Sequence, residues 1–327
     1  MIKSSDKGSF DAIVCLHLLR SFPERVVTLT GAGVSCASGI LDFRSATGLY
    51  KTKNKDGSIP YRDVFRTRVQ QPEQAAEQLK TLGRLSELCL QAPPSTAHSL
   101  LVHLSQLKLL CRSYTQNVDD LDSKAGLPLF DGNGRQVHVT LHGSLSILRC
   151  NICSKSCVLT AHHVAQYKKG LFPECKECVE EGKELRLRCQ RHVGVLCHQI
   201  VYTEDGPESD PVAEEKGLLL DQDASSSPRV FLILGTSLKL SGIRSFVRTM
   251  TRSMHRPTDL PQALPNGIRD YNYLDLLELQ TSDALVVFVN LEQPPCSMVP
   301  YIDVWLQEDV QAWSDRINRG LRMRKGL

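Results

Sequence analysis

Seven of the twelve cysteines in the 327-residue chain lie between residues 150 and 197. Four of these seven form two C-x-x-C pairs, Cys150 with Cys153 in "CNIC" and Cys175 with Cys178 in "CKEC", and 21 residues separate the pairs. Each pair can present two thiolates to one tetrahedral ion, so two pairs complete the coordination of Zn²⁺ and leave no position open for water. The spacing therefore predicts one structural zinc ion.

Other interpretations of these cysteines stay open. Disulfides require an oxidising compartment, and a redox pair of the thioredoxin kind requires only one C-x-x-C beside a strand–helix unit. Cys157 is a competing candidate ligand, and Cys189 and Cys197 are spare.

Compact polar clusters follow five apolar runs of the chain. In order, they are "GAGVS" with "GILDFR", "TQNVDDLD", "HGS", "GTS" and a single asparagine after "DALVVFV". In open parallel sheets, ligands bind at the carboxyl ends of strands, where the strand order reverses. Glycines there allow a close backbone approach, and amides ahead of a helix can cradle a pyrophosphate. Five polar clusters at strand ends are more than simple turns would need. The first cluster, "GAGVS", lacks the full G-x-G-x-x-G spacing.

The elements that must position these residues are strands alternating with helices. Apolar runs such as "RVVTLT", "LLCRSYT", "QVHVTLHG" and "RVFLILGTS" predict buried strands, and helical spacing predicts helices over 9–22, 72–90 and 96–107. This alternation predicts an α/β fold with a parallel sheet and helices on both faces. Residues 1–44, 108–148 and 225–327 form the predicted sheet domain, 45–107 a helical insert and 149–206 a smaller zinc-binding insert.

The composition is that of an ordinary globular protein, with 41% hydrophobic residues, 23% charged residues and a net charge of +3. A charge so close to balance argues against a protein whose main task is to coat nucleic acid. No apolar run approaches the roughly 20 residues that cross a bilayer. The first residues lack the pattern of a signal peptide, so we expect an intracellular, reducing compartment and no membrane partner.

The motifs together resemble the sirtuin family along nearly the whole chain. "GAGVSCASGILDFRS", "YTQNVDD", "LHGS", the paired C-x-x-C motifs, "GTSL" and "FVN" follow the family's order and rough spacing. "GTSLKLSGIRSFVRTM" and "YIDVWLQEDVQAW" resemble most the fungal histone-deacetylating branch. The resemblance implies a large Rossmann-like NAD-binding domain, a small zinc-bearing domain and a cleft between them.

The resemblance also implies roles for individual residues. His142 would be the general base, and Asn117 and Asp119 would face the nicotinamide, Asn117 as a catalytic residue. Gln116 would bind the nicotinamide-side ribose. The remaining predicted cofactor contacts are Gly31, Ala32, Gly33 and Ser35 at the pyrophosphate, Asp42, Phe43 and Arg44 in a loop that closes over NAD, Gly235, Thr236 and Ser237 on the adenosine side, Asn290, and Val310 near the adenine.

The activity that the resemblance implies is NAD-dependent deacetylation of protein lysines, with histones as substrates and with release of nicotinamide and O-acetyl-ADP-ribose. A neutral imidazole such as that of His142 can take a proton from a ribose hydroxyl near pH 7. The expected partners are an acetylated protein lysine and a chromatin complex, without sequence-specific nucleic acid binding. The expected location is the nucleus, with the cytoplasm as a second site.

Three alternatives remain open at the level of sequence. They are an NAD-binding sensor or scaffold with impaired peptide capture, a protein ADP-ribosyltransferase and a zinc-ribbon nucleic-acid binder. The first rests on departures from the family pattern in the segment that would bind the peptide. Cys197 and His198 replace an Arg-Pro pair, and Thr203 to Asp205 stand where the family pattern ends in Gly-Glu. Leu41 replaces a loop proline, and Glu308 stands where a glycine is expected near the cofactor.

Overall fold

The computed structural model describes residues 7–40, 64–65, 72–180, 184–187, 190–201, 213–255 and 279–324. Its strands are β1 Val26–Thr30, β2 Leu110–Thr115, β3 His138–Thr140, β4 Gly143–Cys150, β5 Ser156–Val158, β6 Glu184–Leu187, β7 Gln190–Val193, β8 Leu196–Ile200, β9 Val230–Leu234, β10 Leu285–Val289 and β11 Val304–Leu306. Its α-helices are α1 Lys7–Arg20, α2 Pro72–Gln91, α3 Thr96–Gln106, α4 Leu121–Lys124, α5 Ala161–Lys168, α6 Lys176–Glu180, α7 Ala213–Ser225, α8 Ser241–Met254 and α9 Val310–Arg324.

Six strands form one parallel sheet in the order β3-β2-β1-β9-β10-β11. The chain builds the sheet outward from β1 to one edge and then returns to β9, which pairs with the other side of β1. This is the doubly wound Rossmann order, and its switch point lies between β1 and β9. The predicted α/β fold with a parallel sheet is confirmed.

Both faces of this sheet are covered, as its apolar strands require. Every residue of β1, β9 and β10 is buried, which is typical of parallel strands with helices on both sides. One core packs α1, α3 and α9 on one face, with the fully buried Trp313 among its members. The other core packs α8 on the opposite face, through Phe246 and Val247.

The segment that contains the paired cysteines forms a smaller unit. Strands β5, β4 and β8 make a three-stranded antiparallel sheet, and β6 and β7 make a hairpin. Buried side chains of this unit pack with Leu79 of α2, so the helical insert contributes to its core. Strand β4 starts three residues after β3 ends and continues through residue 149, where the smaller insert is predicted to begin. The predicted domain limits stay predictions.

A buried ion pair joins α7 to the large sheet. Arg112 of β2 donates from Nε to Oδ2 of Asp223 at 2.7 Å and from Nη2 to Oδ1 at 3.1 Å, and the Tyr114 hydroxyl donates to Oδ2 at 2.7 Å. Both charged side chains are about 3% exposed. A buried pair of this kind is tolerated because each charge satisfies the other.

We expect Asp223→Asn to lower the free energy of unfolding by about 3–5 kcal/mol, because it leaves the Arg112 charge buried and uncompensated. The matched control is Asp315→Asn, which removes an exposed partner of Arg319 on α9 and should change stability by less than about 1 kcal/mol. Urea unfolding of both variants measures the difference. Similar values for the two substitutions would contradict a structural role for the buried pair.

Candidate active site and metal centre

The tips of β1 and β9 meet at the switch point through backbone atoms. The Gly33 N–H donates to the Gly235 carbonyl at 2.8 Å, and the Gly31 N–H donates to the Leu234 carbonyl at 3.0 Å. A Cβ on Gly33 would lie 2.8 Å from the Gly235 Cα, and a Cβ on Gly31 would lie 2.7 Å from the Thr236 Cβ. Gly235 also has a φ of +60°. The predicted glycines are therefore required by the contact between the two strand tips.

Polar side chains from two strand tips form a buried hydrogen-bond network beside these glycines. The Ser35 hydroxyl donates to Oδ2 of Asp119 at 2.7 Å, and Nδ2 of Asn117 donates to Ser35 Oγ at 3.1 Å and to the Gly31 carbonyl at 3.2 Å. Burial raises the pKa of the Asp119 carboxyl. Asp119 also accepts from the Leu121 N–H at 3.0 Å, so it supports the start of α4 as well.

This network forms one wall of a pocket. Ala32, Ser35, Asn117 and Asp119 face the pocket from the strand tips. Four apolar side chains also line the pocket, those of Ile40, Leu85, Cys89 and Val118. Helix α2 supplies Leu85 and Cys89, neither of which the sequence motifs predict as a site residue. The structure thus brings together four of the predicted cofactor residues.

His98 is buried next to Ser35, one of the residues that line the pocket. The Ser95 N–H donates to Nδ1 of His98 at 3.0 Å, so the proton of the neutral ring is on Nε2, which lies 3.5 Å from Ser35 Oγ. Burial lowers the pKa of His98 to about 4. The capping pattern Ser-x-x-His at the start of α3 is a sequence signal for the local bond between Ser95 and His98, but not for the contact with Ser35.

Two further buried groups extend the cluster away from the pocket. Oδ1 of Asp122 lies 3.9 Å from Nε2 of His98, and Oδ2 lies 4.0 Å from Nε2 of His138. Burial raises the pKa of Asp122 to about 8 and lowers that of His138 to about 4, so these groups are mainly uncharged at pH 7.

His142 follows β3 at the same edge of the sheet. Its Nδ1 lies 2.9 Å from the backbone carbonyl oxygen of Gln116. A carbonyl only accepts, so Nδ1 carries the proton of the neutral ring and Nε2 presents the basic lone pair. The Gln116 side chain in turn donates from Nε2 to Thr236 Oγ1 at 2.8 Å, which joins the tip of β2 to that of β9.

The predicted contacts of the adenosine side occupy the tips of β9 and β10 and the start of α9. Thr236 is buried and Ser237 is half-buried, while Asn290 donates from Nδ2 to the Glu292 carbonyl at 3.1 Å. Val310 is a member of the apolar core. Whether these residues contact a cofactor stays a prediction, and Asp42, Phe43 and Arg44 lie outside the described residues.

Glu308, the residue that departs from the family pattern, is buried in an ion pair. Its two carboxylate oxygens lie 2.8 and 2.9 Å from Nη2 of Arg316, whose Nε donates to Asp11 of α1 at 2.6 Å. This carboxylate therefore connects the loop before α9 to two helices.

The four predicted metal ligands lie in one cluster. Their sulfur atoms are all within 4.8 Å of one another, with Cys150 to Cys178 at 3.5 Å and Cys153 to Cys175 at 3.7 Å. Four thiolates at the usual Zn–S distance of about 2.3 Å would be about 3.8 Å apart, so the residues fit a tetrahedral zinc ion. Cys157 lies on β5 opposite Leu148 and is not one of the four clustered cysteines.

Gly194 packs against the cysteine cluster, and His198 packs on Tyr167, which belongs to the same apolar core as the cysteines. A Cβ on Gly194 would lie 2.5 Å from the Cys150 sulfur and 2.7 Å from the Cys178 sulfur. His198 is buried, lies with Nδ1 2.9 Å from the Leu145 carbonyl oxygen and stacks on Tyr167 at 4.5 Å. The atypical histidine thus packs within the small unit, and the described residues end here at Val201, before Thr203 to Asp205.

Comparison with known proteins identifies the family. The Sir2 family profile matches residues 31–242, and the chain therefore belongs to the Sir2 family. It is 31% identical over 264 residues to the NAD-dependent histone deacetylase HST3 of Candida albicans, which covers 73% of this chain and 53% of the relative. It is 30% identical over 247 residues to the NAD-dependent protein deacetylase hst4 of Schizosaccharomyces pombe, covering 69% of this chain and 56% of the relative. The chain spans about half the length of these relatives.

Solved structures share the fold. A mutant Sir2 homologue in complex with ADP-ribose has a TM-score of 0.65 and 19% identity, over 96% of this chain and 97% of the other. Sir2Tm bound to a propionylated peptide has a TM-score of 0.62 and 20% identity, over 96% and 99%. The expected resemblance to sirtuins is confirmed. Among the described residues, no helix combines the length and apolar character needed to span a membrane.

We expect Gly194→Ala to reduce the zinc content of the purified protein well below the roughly one ion per chain of a single tetrathiolate site, because the new methyl group would displace two ligand sulfurs. Gly132→Ala is the control, since no atom lies within 4 Å of the added Cβ there. Elemental analysis by mass spectrometry gives the metal content. Equal zinc contents and equal resistance to a chelator in the two variants would show that the Gly194 contact does not constrain the site.

Proposed function

We propose that this protein is an NAD-dependent protein-lysine deacetylase that acts on histones in the nucleus, with a chromatin complex as its setting. The observation that carries the proposal is the orientation of His142, whose Nδ1 is fixed by the Gln116 carbonyl at the same sheet edge as the Ser35, Asn117 and Asp119 network. The names of the fungal relatives support the substrate class.

The residues at the switch point fit a dinucleotide. The glycine contacts hold the backbone turn after β1 against β9, in the position where doubly wound sheets bind such ligands. The pocket beyond them is lined by both polar and apolar side chains, a composition that would suit a ring carrying a carboxamide. When bound, NAD would supply the electrophilic ribose carbon to which the acyl oxygen is transferred.

His142 would act as the general base at Nε2. With its Nδ1 proton donated to the Gln116 carbonyl, the ring can accept a proton from a ribose hydroxyl and form an imidazolium that keeps this hydrogen bond. A neutral imidazole titrates close to physiological pH, which suits this transfer.

Asn117 and Asp119 would orient the leaving carboxamide. Their side chains are held by Ser35, which accepts from Asn117 at 3.1 Å and donates to Asp119 at 2.7 Å. Because these groups are buried and already hydrogen-bonded to one another, they would bind the ligand with little loss of conformational freedom. The four cysteines would hold zinc in a purely structural role.

The direct test is to incubate the protein with NAD and an acetylated histone peptide and to weigh all products by mass spectrometry. We expect deacetylated peptide, nicotinamide and O-acetyl-ADP-ribose. ADP-ribose attached to protein would instead identify a transferase, and unchanged NAD would identify a cofactor sensor or scaffold.

We expect His142→Ala to lower kcat/KM for deacetylation by about 10²–10⁴-fold, the usual contribution of a general base, while NAD affinity is retained. His162→Ala, at an exposed position on α5, is the control and should keep full activity. Steady-state kinetics and calorimetric titration with NAD measure the two effects. Undiminished activity of His142→Ala would remove His142 as the base.

A further inference from the structure

Helix α8 presents a row of arginines and contains no acidic residue. Arg244, Arg248 and Arg252 follow one another at intervals of four residues, so the row runs along one side of the helix with a repeat of about 6 Å. The opposite side is buried in the sheet core through Ile243, Phe246, Val247 and Met250. The arginine row therefore lies beside the buried side of α8, with Arg252 exposed and Arg244 and Arg248 half-buried.

Two other helices pair charges along their surfaces, whereas the described residues provide no such pair for the α8 arginines. On α9, Arg319 lies 2.9 Å from Asp315, and on α2, Lys80 contacts Glu77. Across the ranges that the structure describes, no carboxylate lies within 4.0 Å of the three α8 arginines. The part of the chain that the structure describes therefore offers these three arginines no counter-ion within that distance.

Nearby carboxylates at both ends of α8 contact other cations. Glu292 lies 3.4 Å from Lys239, which precedes the helix, and Asp303 lies 3.1 Å from Nε2 of His255, which follows it. Asp303 also accepts from the Val286 N–H at 2.7 Å. Neither acid neutralises the arginine row.

The aromatic ring of Tyr301 holds two of the three guanidinium groups close together. Their carbon atoms lie 5.7 Å (Arg248) and 5.5 Å (Arg252) from the ring centroid, and Nη2 of Arg252 donates to the tyrosine hydroxyl at 3.1 Å. Arg244 is fixed by a 2.7 Å hydrogen bond from Nη1 to the Lys239 carbonyl. The side chains are thus partly ordered before binding, and a bound anion would relieve the repulsion between neighbouring cations.

The other solvent-accessible side chains of α8 indicate which kind of anion the arginine row would bind. Ser241 and Ser245 are exposed and Thr249 is half-buried, so hydroxyl groups accompany the arginines. No large hydrophobic side chain of α8 is among the exposed ones. A membrane-binding helix inserts apolar side chains, and the buried centre of a protein interface is apolar and poor in serine, whereas arginine and hydroxyl groups are the usual contacts of nucleic acid phosphates.

We propose that the α8 row of Arg244, Arg248 and Arg252 binds the phosphate backbone of duplex DNA without reading its sequence. The regular repeat along the helix is comparable to the spacing of successive phosphates on one strand. Guanidinium groups can contact phosphate oxygens in a bidentate manner, which favours arginine over lysine at such sites. This binding is an additional property of the protein and does not depend on the deacetylase activity.

The test measures binding of a fluorescently labelled DNA duplex by anisotropy at several salt concentrations, without NAD or peptide. Compared with the unsubstituted protein, the variant R244Q/R248Q/R252Q should bind at least about tenfold more weakly near 0.1 M salt. The slope of log affinity against log salt should become shallower by about 2–3, since each lost phosphate contact contributes about 0.9. The variant R244K/R248K/R252K keeps the charges and should retain most of the binding.

The matched control is K80Q/R319Q/R322Q, which removes the same charge from α2 and α9 and should bind DNA nearly as the unsubstituted protein does. Thermal unfolding of each variant checks the fold, and activity on a free acetylated peptide should be unchanged by the α8 substitutions. Equal loss of DNA binding in the control, or full binding by R244Q/R248Q/R252Q, would overturn the proposal. The proposal would also be overturned if R244Q/R248Q/R252Q lost binding only to polyglutamate or only to phosphatidylserine vesicles and kept its binding to DNA. These outcomes hold whether or not the protein deacetylates peptides.

Discussion

The contact between Gly33 and Gly235 is the constraint on which the rest of the site depends. Their backbones approach until the N–H of one meets the carbonyl of the other at 2.8 Å, and neither position has room for a side chain. This contact fixes the tip of β1 against the tip of β9 at the point where the strand order reverses. Ser35 is the second residue after Gly33 and Thr236 is the first after Gly235, so the glycine contact fixes the positions of these polar groups.

The small cysteine-bearing unit supports the backbone of His142, the proposed general base. His142 lies between β3 of the large sheet and β4 of the small one, and its carbonyl accepts from the Val201 N–H, just beyond β8, at 3.0 Å. Gly143 has a φ of +81°, and a Cβ there would lie 2.0 Å from the Gln199 carbonyl oxygen. Gly194, just before β8, and Leu196, the first residue of β8, pack with the cysteine cluster, so a metal held by the four thiolates would stabilise the backbone on which His142 sits.

The sequence predicted those features that depend on local pattern. Apolar runs located β1, β2, β9 and β10, and the C-x-x-C spacing selected the four cysteines that the fold brings together. Motif resemblance placed His142 and Asn117 at strand ends, where the structure has them. The contact of His98 with Ser35 was not predictable in this way, because it joins residues 63 positions apart. The three-residue strand β11 is too short for a periodicity signal, and Gly194 looks like an ordinary turn residue until the sulfur atoms are placed around it.

Glu308 illustrates why a departure from a family motif needs the structure. In sequence, a carboxylate in place of glycine suggests crowding of the cofactor, yet the side chain is 7% exposed and bound to Arg316. Its charge is compensated within the fold by a cation that also binds Asp11. The same physical logic distinguishes the α8 arginines, whose charge the described residues leave uncompensated.

A crystal structure of the protein with bound NAD would test the central claim most directly. The account predicts the pyrophosphate beside the turn after Gly31, the nicotinamide in the pocket of Asn117 and Asp119, and the inner ribose next to Nε2 of His142. A dinucleotide bound away from the β1 and β9 tips, or an imidazole that has lost the Gln116 carbonyl and points away from the ribose, would contradict it.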